Sequence, residues 1–270
     1  MTVNLHTHTH RCGHATGEVR DYIETAIAAG IRHIGFSEHV PFPFTFPDGH
    51  ISAFRLPVEE SQSYMTELYA LRKEYRDRIT IHIGFEMEYY PRYFEGMLRY
   101  ANELGAEYLL LGQHYIDNED VYKTSVFKPC DVESRLKNYV DTVIEAMETG
   151  VFTYVAHPDV INFKGNMDIY REEMRRICQA SVRLNLPLEI NFLGIRADRH
   201  YPEPAFWKVA GEEKCSVVFG FDAHDTPAAG DVASLPTALD MVRKYDLHLV
   251  EYPTLIHPLT GRKTSISCEE

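Results

Sequence analysis

Histidine stands out in this chain of 270 residues, with 14 copies, several of them spaced so that they can act together. His6 and His8 are separated by one residue, as are Asp222 and His224 in VVFGFDAH, and a spacing of two turns both side chains of a strand to one face. His39 ends IGFSEH, Glu86 lies near the end of IHIGFEMEY, His114 ends LLLGQH and His157 ends YVAH. His14, in the loop RCGHATG, can swing back over the same place. Imidazole nitrogens and carboxylate oxygens bind divalent metals. Seven imidazoles and two carboxylates exceed the needs of one tetrahedral ion, which points to a multinuclear centre. Nitrogen-rich ligation suits Zn, Fe or Mn rather than Ca or Mg, and no thiolate is implicated.

These residues need strands to carry them. Strands are expected at Val3–His8, His33–His39, Ile79–Tyr89, Tyr108–Tyr115, Tyr154–His157, Pro187–Phe192, Ser216–His224 and Leu247–Tyr252, alternating with helical patterns. One apolar stripe runs Ile23, Ala26, Ile27 and closes on Gly30. Val58, Met65, Leu68 and Tyr69 follow Pro57, which suits a first helical turn. Val132, Leu136, Val140, Val143 and Met147 run to Gly150 behind Asp131 as N-cap, Ile169, Ile177, Ala180 and Leu184 make a fourth stripe, and Pro236, Leu239 and Val242 a fifth. Repeated βα units predict an α/β fold, and the lack of a Gly-rich nucleotide loop favours a closed barrel over a doubly wound sheet. In such a barrel the strand ends converge on one rim, where active sites are built. The Pro- and aromatic-rich segment Val40 to Leu56 reads as a loop over that rim.

A lone histidine at a strand end is ordinarily a hydrogen-bonded structural residue. Nine ligand-type groups at consistent strand ends are not explained that way, because buried imidazoles and carboxylates need partners. Other histidines get the plainer reading: His82 as an interior residue, His33, His50, His248 and His257 as solvent or structural ones. His10 is an alternative to His14, Glu88 competes with Glu86 for a bridging role, and Glu38, Asp159 and Asp225 flank ligands closely enough to orient them.

The composition, 44% hydrophobic and 25% charged, is that of a globular chain, expected as one domain over residues 1–270. A formal net charge of -13 repels nucleic-acid backbones and anionic membranes. No apolar signal or membrane-length segment is seen, so a cytoplasmic protein is expected. The 5 cysteines (Cys12, Cys130, Cys178, Cys215, Cys268) lie far apart and read as free thiols.

Taken in order, H6-x-H8 with His14, SEH to His39, G-x-E to Glu86, GQH to His114, AHPD at His157 and FDAH at Asp222 and His224 resemble the polymerase and histidinol phosphatase (PHP) family of metal-dependent phosphoesterases. The resemblance spans residues 6 to 224 and implies a distorted (β/α)7 barrel with three divalent ions. It implies one ion on His6, His8, Glu86 and Asp222, a second on Glu86, His114 and His157, and a third on His14, His39 and His224. The length, the aromatic loop after His39 and the stretch EINFLGIRADRHYPEP look like the histidinol-phosphate phosphatase branch, which implies hydrolysis of L-histidinol phosphate by a metal-bridging hydroxide. On that reading Arg196 grips phosphate with its fork, and Glu86 spaces the ions. Asp222 and His200 are candidates for proton transfer, and Asn191, Phe192, Phe42, Glu203 and His200 are candidates for substrate contact. The expected partner is a small phosphate ester. A broader phosphatase or nucleotide phosphoesterase of the same family is the alternative, followed by a noncatalytic metal-binding module.

Overall fold

The computed structural model describes residues 1–46, 49, 52, 54–119 and 124–267. His50 and Cys268 lie outside the described residues. The strands are β1 (Val3–Asn4), β2 (His33–His39), β3 (Thr80–Met87), β4 (Tyr108–Leu111), β5 (Tyr115–Ile116), β6 (Thr124–Ser125), β7 (Tyr154–Val155), β8 (Leu188–Asn191), β9 (Ser216–Gly220), β10 (His248–Leu249), β11 (Thr254–Ile256) and β12 (Lys263–Ser265). Eight of them form one sheet, in the order β1-β2-β3-β4-β7-β8-β9-β10, with every pairing parallel. β5 with β6 and β11 with β12 make small antiparallel pairs. The helices are α1 (Val19–Ala28), α2 (Val58–Tyr75), α3 (Phe94–Leu104), α4 (Glu133–Glu148), α5 (Met167–Leu184), α6 (Phe192–Arg196), α7 (Pro204–Glu212) and α8 (Leu235–Tyr245).

Period two sorts the strand residues between two cores. Ile81, Ile83, Phe85 and Met87 of β3, with Leu109 and Leu111 of β4, join the large core shared with the helices. Tyr108 and Leu110 take the opposite face and cluster with Val3, Leu5, Tyr154 and Val218 inside the curled sheet. Leu255 and Ile266, from the last hairpin and its tail, complete that inner cluster. Glu86 shares the inward parity of His82, and at the end of β3 it stands above the inner apolar layer.

The sheet meets itself at one end only. Beyond β1, Thr7 bridges in parallel to Ala223 beyond β9, with His8 N–H donating to Ala223 O (2.9 Å) and Ala223 N–H to His6 O (3.3 Å). At the other end of β9, Ser216 and Val217 pair instead with β10. Seven strands therefore close the rim that carries the candidate ligands, while the eighth is wedged in below, which gives the expected barrel its distortion.

Local expectations fared unevenly. The strand foreseen over Val3–His8 ends at Asn4, because the Asn4 side chain takes over the ladder: Oδ1 accepts from the N–H groups of His6 and Phe221, and Nδ2 donates to Thr7. Val132, not Asp131, is the N-cap residue of α4, and no side chain caps that end. Pro57 likewise sits at the cap of α2 rather than in its first turn, and Tyr69 is exposed. Helices α3, α6 and α7 fall outside the five expected stripes.

Candidate metal centre

The nine candidate residues come together at one rim, with five of the imidazoles around Glu86. Its Oε2 lies 3.5 Å from His6 Nε2, 3.3 Å from His8 Nε2 and 3.2 Å from His39 Nδ1. Its Oε1 lies 2.9 Å from His157 Nε2 and 3.4 Å from His114 Nε2. Asp222 Oδ1 closes the other side, 3.6 Å from His6 Nε2, 3.5 Å from His8 Nε2 and 3.2 Å from His224 Nδ1. His14 does fold back from its loop, with Nε2 2.9 Å from His224 Nε2. The His14 and His39 ring centroids are 5.5 Å apart.

Backbone features make room for this packing. A Cβ on Gly112 would fall 1.8 Å from Glu86 Oε1, so the glycine of LLLGQH is the cradle in which the carboxylate rests. His157 and Asp222 hold left-handed backbone (φ 30° and 47°), which non-glycine residues seldom adopt and which is found where a site needs a particular side-chain direction.

Electrostatics agree with a site built for cations. Burial works against the ionisation of Glu86, yet His114, His39, His6 and a hydrogen bond from His157 hold its carboxyl well below the usual range. Asp222 is held low in the same way, against burial, by His6, His224 and His8. Burial also opposes protonation of His8, but Glu38 and Glu86 push it up to about 9. The donor atoms of His6, His8 and Asp222, of His6, Glu86 and His157, and of His8, His39 and His224 each lie within 4.8 Å of one another. Ligands at about 2.0–2.1 Å from a tetrahedral ion stand roughly 3.4 Å apart. The separations of 2.9 to 3.6 Å found here match that spacing, and the donors are nitrogen and oxygen throughout, so the residues fit divalent transition metals.

Around the ligands lies a shell that sequence reasoning partly missed. Glu189, fully buried, accepts hydrogen bonds from His6 Nδ1 (2.7 Å), His157 N–H (3.0 Å) and Asn191 Nδ2 (2.9 Å). Glu88 is not a bridge between ligands: Oε1 accepts from His114 Nδ1 (2.7 Å) and Oε2 from Arg55. Glu38 lies 3.6 Å from His8 Nδ1 and accepts from Thr9. Such partners fix the tautomer and direction of an imidazole. A signal for Glu189 was available: it stands two residues before Asn191 in a buried strand, the same spacing as the ligand pairs.

A cavity of about 370 Å³ opens over the centre, lined by His14, His39, Phe54, Glu86, His114, Tyr115, Phe127, His157, Leu193, Arg199, Tyr201, Asp222 and His224. Several expected substrate residues are elsewhere. Arg196 turns its fork to the carbonyls of Phe221 and Asp222 and approaches Asp231, so its donors are already engaged. Arg199 lines the cavity instead, with Nη1 donating to Tyr201 Oη (2.9 Å). His200, expected to move a proton, places Nε2 2.6 Å from Val160 O, outside the described lining. Phe192 is fully buried against Phe219 and Phe221. Phe42 stacks on Phe46 (4.2 Å between centroids) and meets Tyr93, away from the rim, and among the described residues of that loop Phe54 lines the cavity. Glu203 caps α7 by accepting from Ala205 N–H. Asn191 sits beside the cavity as a support: Nδ2 donates to Asp222 (3.0 Å) and Oδ1 caps Gly194. His10 bonds Gly17 O rather than the cluster, His82 pairs with His33 (3.2 Å), and Asp159 accepts from Glu203 N–H and Trp207 Nε1.

The sequence pattern of the PHP domain matches residues 4–192, more than half of the chain. The chain belongs to the PHP family. Among relatives of this PHP chain, the probable histidinol-phosphatase of Deinococcus radiodurans is 25% identical over 232 residues, 83% of this chain and 87% of that protein. The histidinol-phosphatase of Bacillus subtilis is 25% identical over 261 residues, 84% of this chain and 94% of its relative. The crystal structure of histidinol phosphate phosphatase from Lactococcus lactis, complexed with zinc, L-histidinol and phosphate, superposes with a TM-score of 0.71 at 20% identity, covering 97% of this chain and 98% of that one. That likeness shows a shared PHP fold. Among the described residues, no helix is long and apolar enough to cross a membrane.

Proposed function

We propose that this protein is a metal-dependent phosphomonoesterase that hydrolyses L-histidinol phosphate to L-histidinol and inorganic phosphate. The observation that carries the reading is the convergence of seven imidazoles and two carboxylates, Glu86 and Asp222, at one rim, in a chain whose relatives over most of its length are named histidinol-phosphatases. His6, His8, Glu86 and Asp222 would hold one divalent ion, Glu86, His114 and His157 a second, and His14, His39 and His224 a third, with Zn, Fe or Mn suited to these donors. Bound there, the ions supply a nucleophile at neutral pH and neutralise charge on phosphate.

The protein's own groups do the rest. Arg199, the one Arg or Lys among the described lining residues, reaches the non-bridging phosphate oxygens, and Tyr201 steadies its guanidinium. Asp222, kept ionised and braced by Asn191, accepts a hydrogen bond from the attacking water and orients it. Phe54, Tyr115 and Phe127 give the alcohol part of the ester an aromatic wall. The groups span residues 6 to 224, which supports one catalytic unit, and a cavity of about 370 Å³ suits a small ester.

Purified protein supplied with Zn, Mn or Fe is expected to release phosphate from L-histidinol phosphate with a kcat/KM well above that for other small phosphomonoesters or nucleotides. Equal turnover across such a panel would replace this substrate with the broader phosphatase. Metal uptake without turnover would leave only a binding module.

A further inference from the structure

Arg55 belongs to the loop after β2, yet its side chain is only 2% exposed. Its three nitrogens face three different parts of the chain. Nη2 donates to Glu88 Oε2 (2.6 Å), Nε to Glu119 Oε1 (2.5 Å) and Nη1 to Val40 O (3.2 Å). Each of the two carboxylates has a second engagement: Glu88 Oε1 with His114 Nδ1 at 2.7 Å, and Glu119 Oε2 with Ser52 Oγ at 2.8 Å. The neighbouring residue, Phe54, lies under the guanidinium (4.8 Å from its ring centroid) and sets its ring edge-on to both His39 (5.2 Å) and His114 (6.1 Å).

We propose that Arg55 is a positioning residue that holds Glu88 against His114 and thereby ties the loop carrying Phe54 to the metal centre. The argument is geometric. Glu88 Oε1, accepting from His114 Nδ1–H, favours the tautomer and ring direction that leave Nε2 free toward Glu86, and Arg55 fixes the other oxygen of Glu88. A guanidinium supplies that restraint because its planar fork meets two carboxylates and a carbonyl at once, in a direction set by the loop. A lysine, one point charge on a flexible stem, cannot reproduce all three contacts. Ser52 and Phe54 extend the linkage, so a displacement of the loop is felt at the orientation of two candidate ligands. The inference rests on the reading of His114 as a metal ligand.

The test measures zinc uptake by the metal-free full chain against a chromophoric chelator, with folding followed separately by circular dichroism. R55M and E88Q are each expected to weaken at least one equivalent of zinc about tenfold or more. The double variant should bind no more weakly than the poorer single one, since both changes break one chain of contacts. R55K should fall between wild type and R55M. A merely structural Arg55 would lower stability without this coupling. Folded R55M that binds all its zinc within about twofold of wild type overturns this inference alone, and so does a double variant whose loss is the product of the two single losses. A wild-type chain that takes up no metal overturns the functional reading and this inference with it. Should R55M not fold, E119Q carries the test: with the restraint on Arg55 Nε weakened, zinc affinity is expected to drop about threefold or more, and an unchanged affinity is the refuting result.

Discussion

Glu189→Gln is the sharpest probe of how the centre is supported. The carboxylate accepts from three buried donors: Oε1 from His6 Nδ1, Oε2 from His157 N–H and Asn191 Nδ2. Glutamine keeps the volume, which matters because a Cβ on neighbouring Gly220 would lie only 1.7 Å from Glu189 Oε1 and the site has no slack. One of its two terminal atoms is an NH2 group, however, and every direction in which that group can turn presents a donor. If it faces His6, the imidazole must move its proton to Nε2, the nitrogen aimed at Glu86 and Asp222, and that nitrogen can no longer bind metal. If it faces the other way, the His157 N–H or the Asn191 amide is left unpaired. Losing one charge-assisted hydrogen bond and stranding one buried donor gives a destabilisation of about 2–4 kcal/mol, and the disturbed His6 about a 10- to 100-fold loss of metal affinity. Urea unfolding of the metal-free protein measures the first, and zinc competition with a chelator the second. A variant within about 0.5 kcal/mol and twofold of wild type would show that Glu189 neither orients His6 nor supports the rim.

Three further perturbations probe other parts of the argument. Gly112→Ala puts a methyl group where Glu86 Oε1 now sits, so the carboxylate must shift by more than 1 Å; phosphatase activity is expected to drop about 100-fold, with metal content reduced, and full activity would disprove the cradle. Arg199→Met should lower kcat/KM about 100-fold while zinc uptake is unchanged, and Arg196→Met should act on stability instead; the opposite pattern in steady-state kinetics and thermal melts would restore Arg196 as the phosphate grip. His82 is held down to about 4 by burial and by neighbouring His33, against 6.5 when free, so below pH 6.5 the unfolded chain takes a proton that the folded one refuses and stability falls toward pH 4. The limit is about 3 kcal/mol, less for partial exposure, and His82→Gln compared with wild type in chelator should show a shallower decline over that window; identical urea midpoints at every pH would refute it.

Much of the site was legible because period two is a strict rule. Glu86 and His114 close apolar runs whose alternate residues are claimed by the helical core, so their direction follows from their neighbours, whereas His157 has the parity of Val155, which faces that core, and turns to the centre through its left-handed backbone (φ 30°). His6 and His8 converge too, but by another route: the strand breaks at Asn4, whose side chain replaces the ladder, and no propensity announces that. The Arg196 and Arg199 exchange has the same character. Three residues apart, they would share a face of a continuing helix, but α6 ends at Arg196 and Asp198 turns left-handed (φ 46°), so the chain reverses and the second arginine enters the cavity. Glu189 has a spacing signal with Asn191 but no local sign of its role, because its partners His6 and His157 lie 183 and 32 positions away. The aromatic loop was right in its last residues and wrong in its first. Phe42 had a nearer apolar home on Phe46 and Tyr93, which burial favours over a wet rim.

The one-ended closure of the sheet would give bound metals a second task. Between β1 and β9 the described backbone contacts are those at Thr7 and Ala223 and their immediate neighbours, and His6 and His8 stand on one bank of that seam while Asp222 and His224 stand on the other. A cation held by residues from both banks would be a clasp across a sparsely bonded join. Metal loading would then add to the stability of an already folded barrel, drawing its two edges together at the rim where the ester is expected to bind.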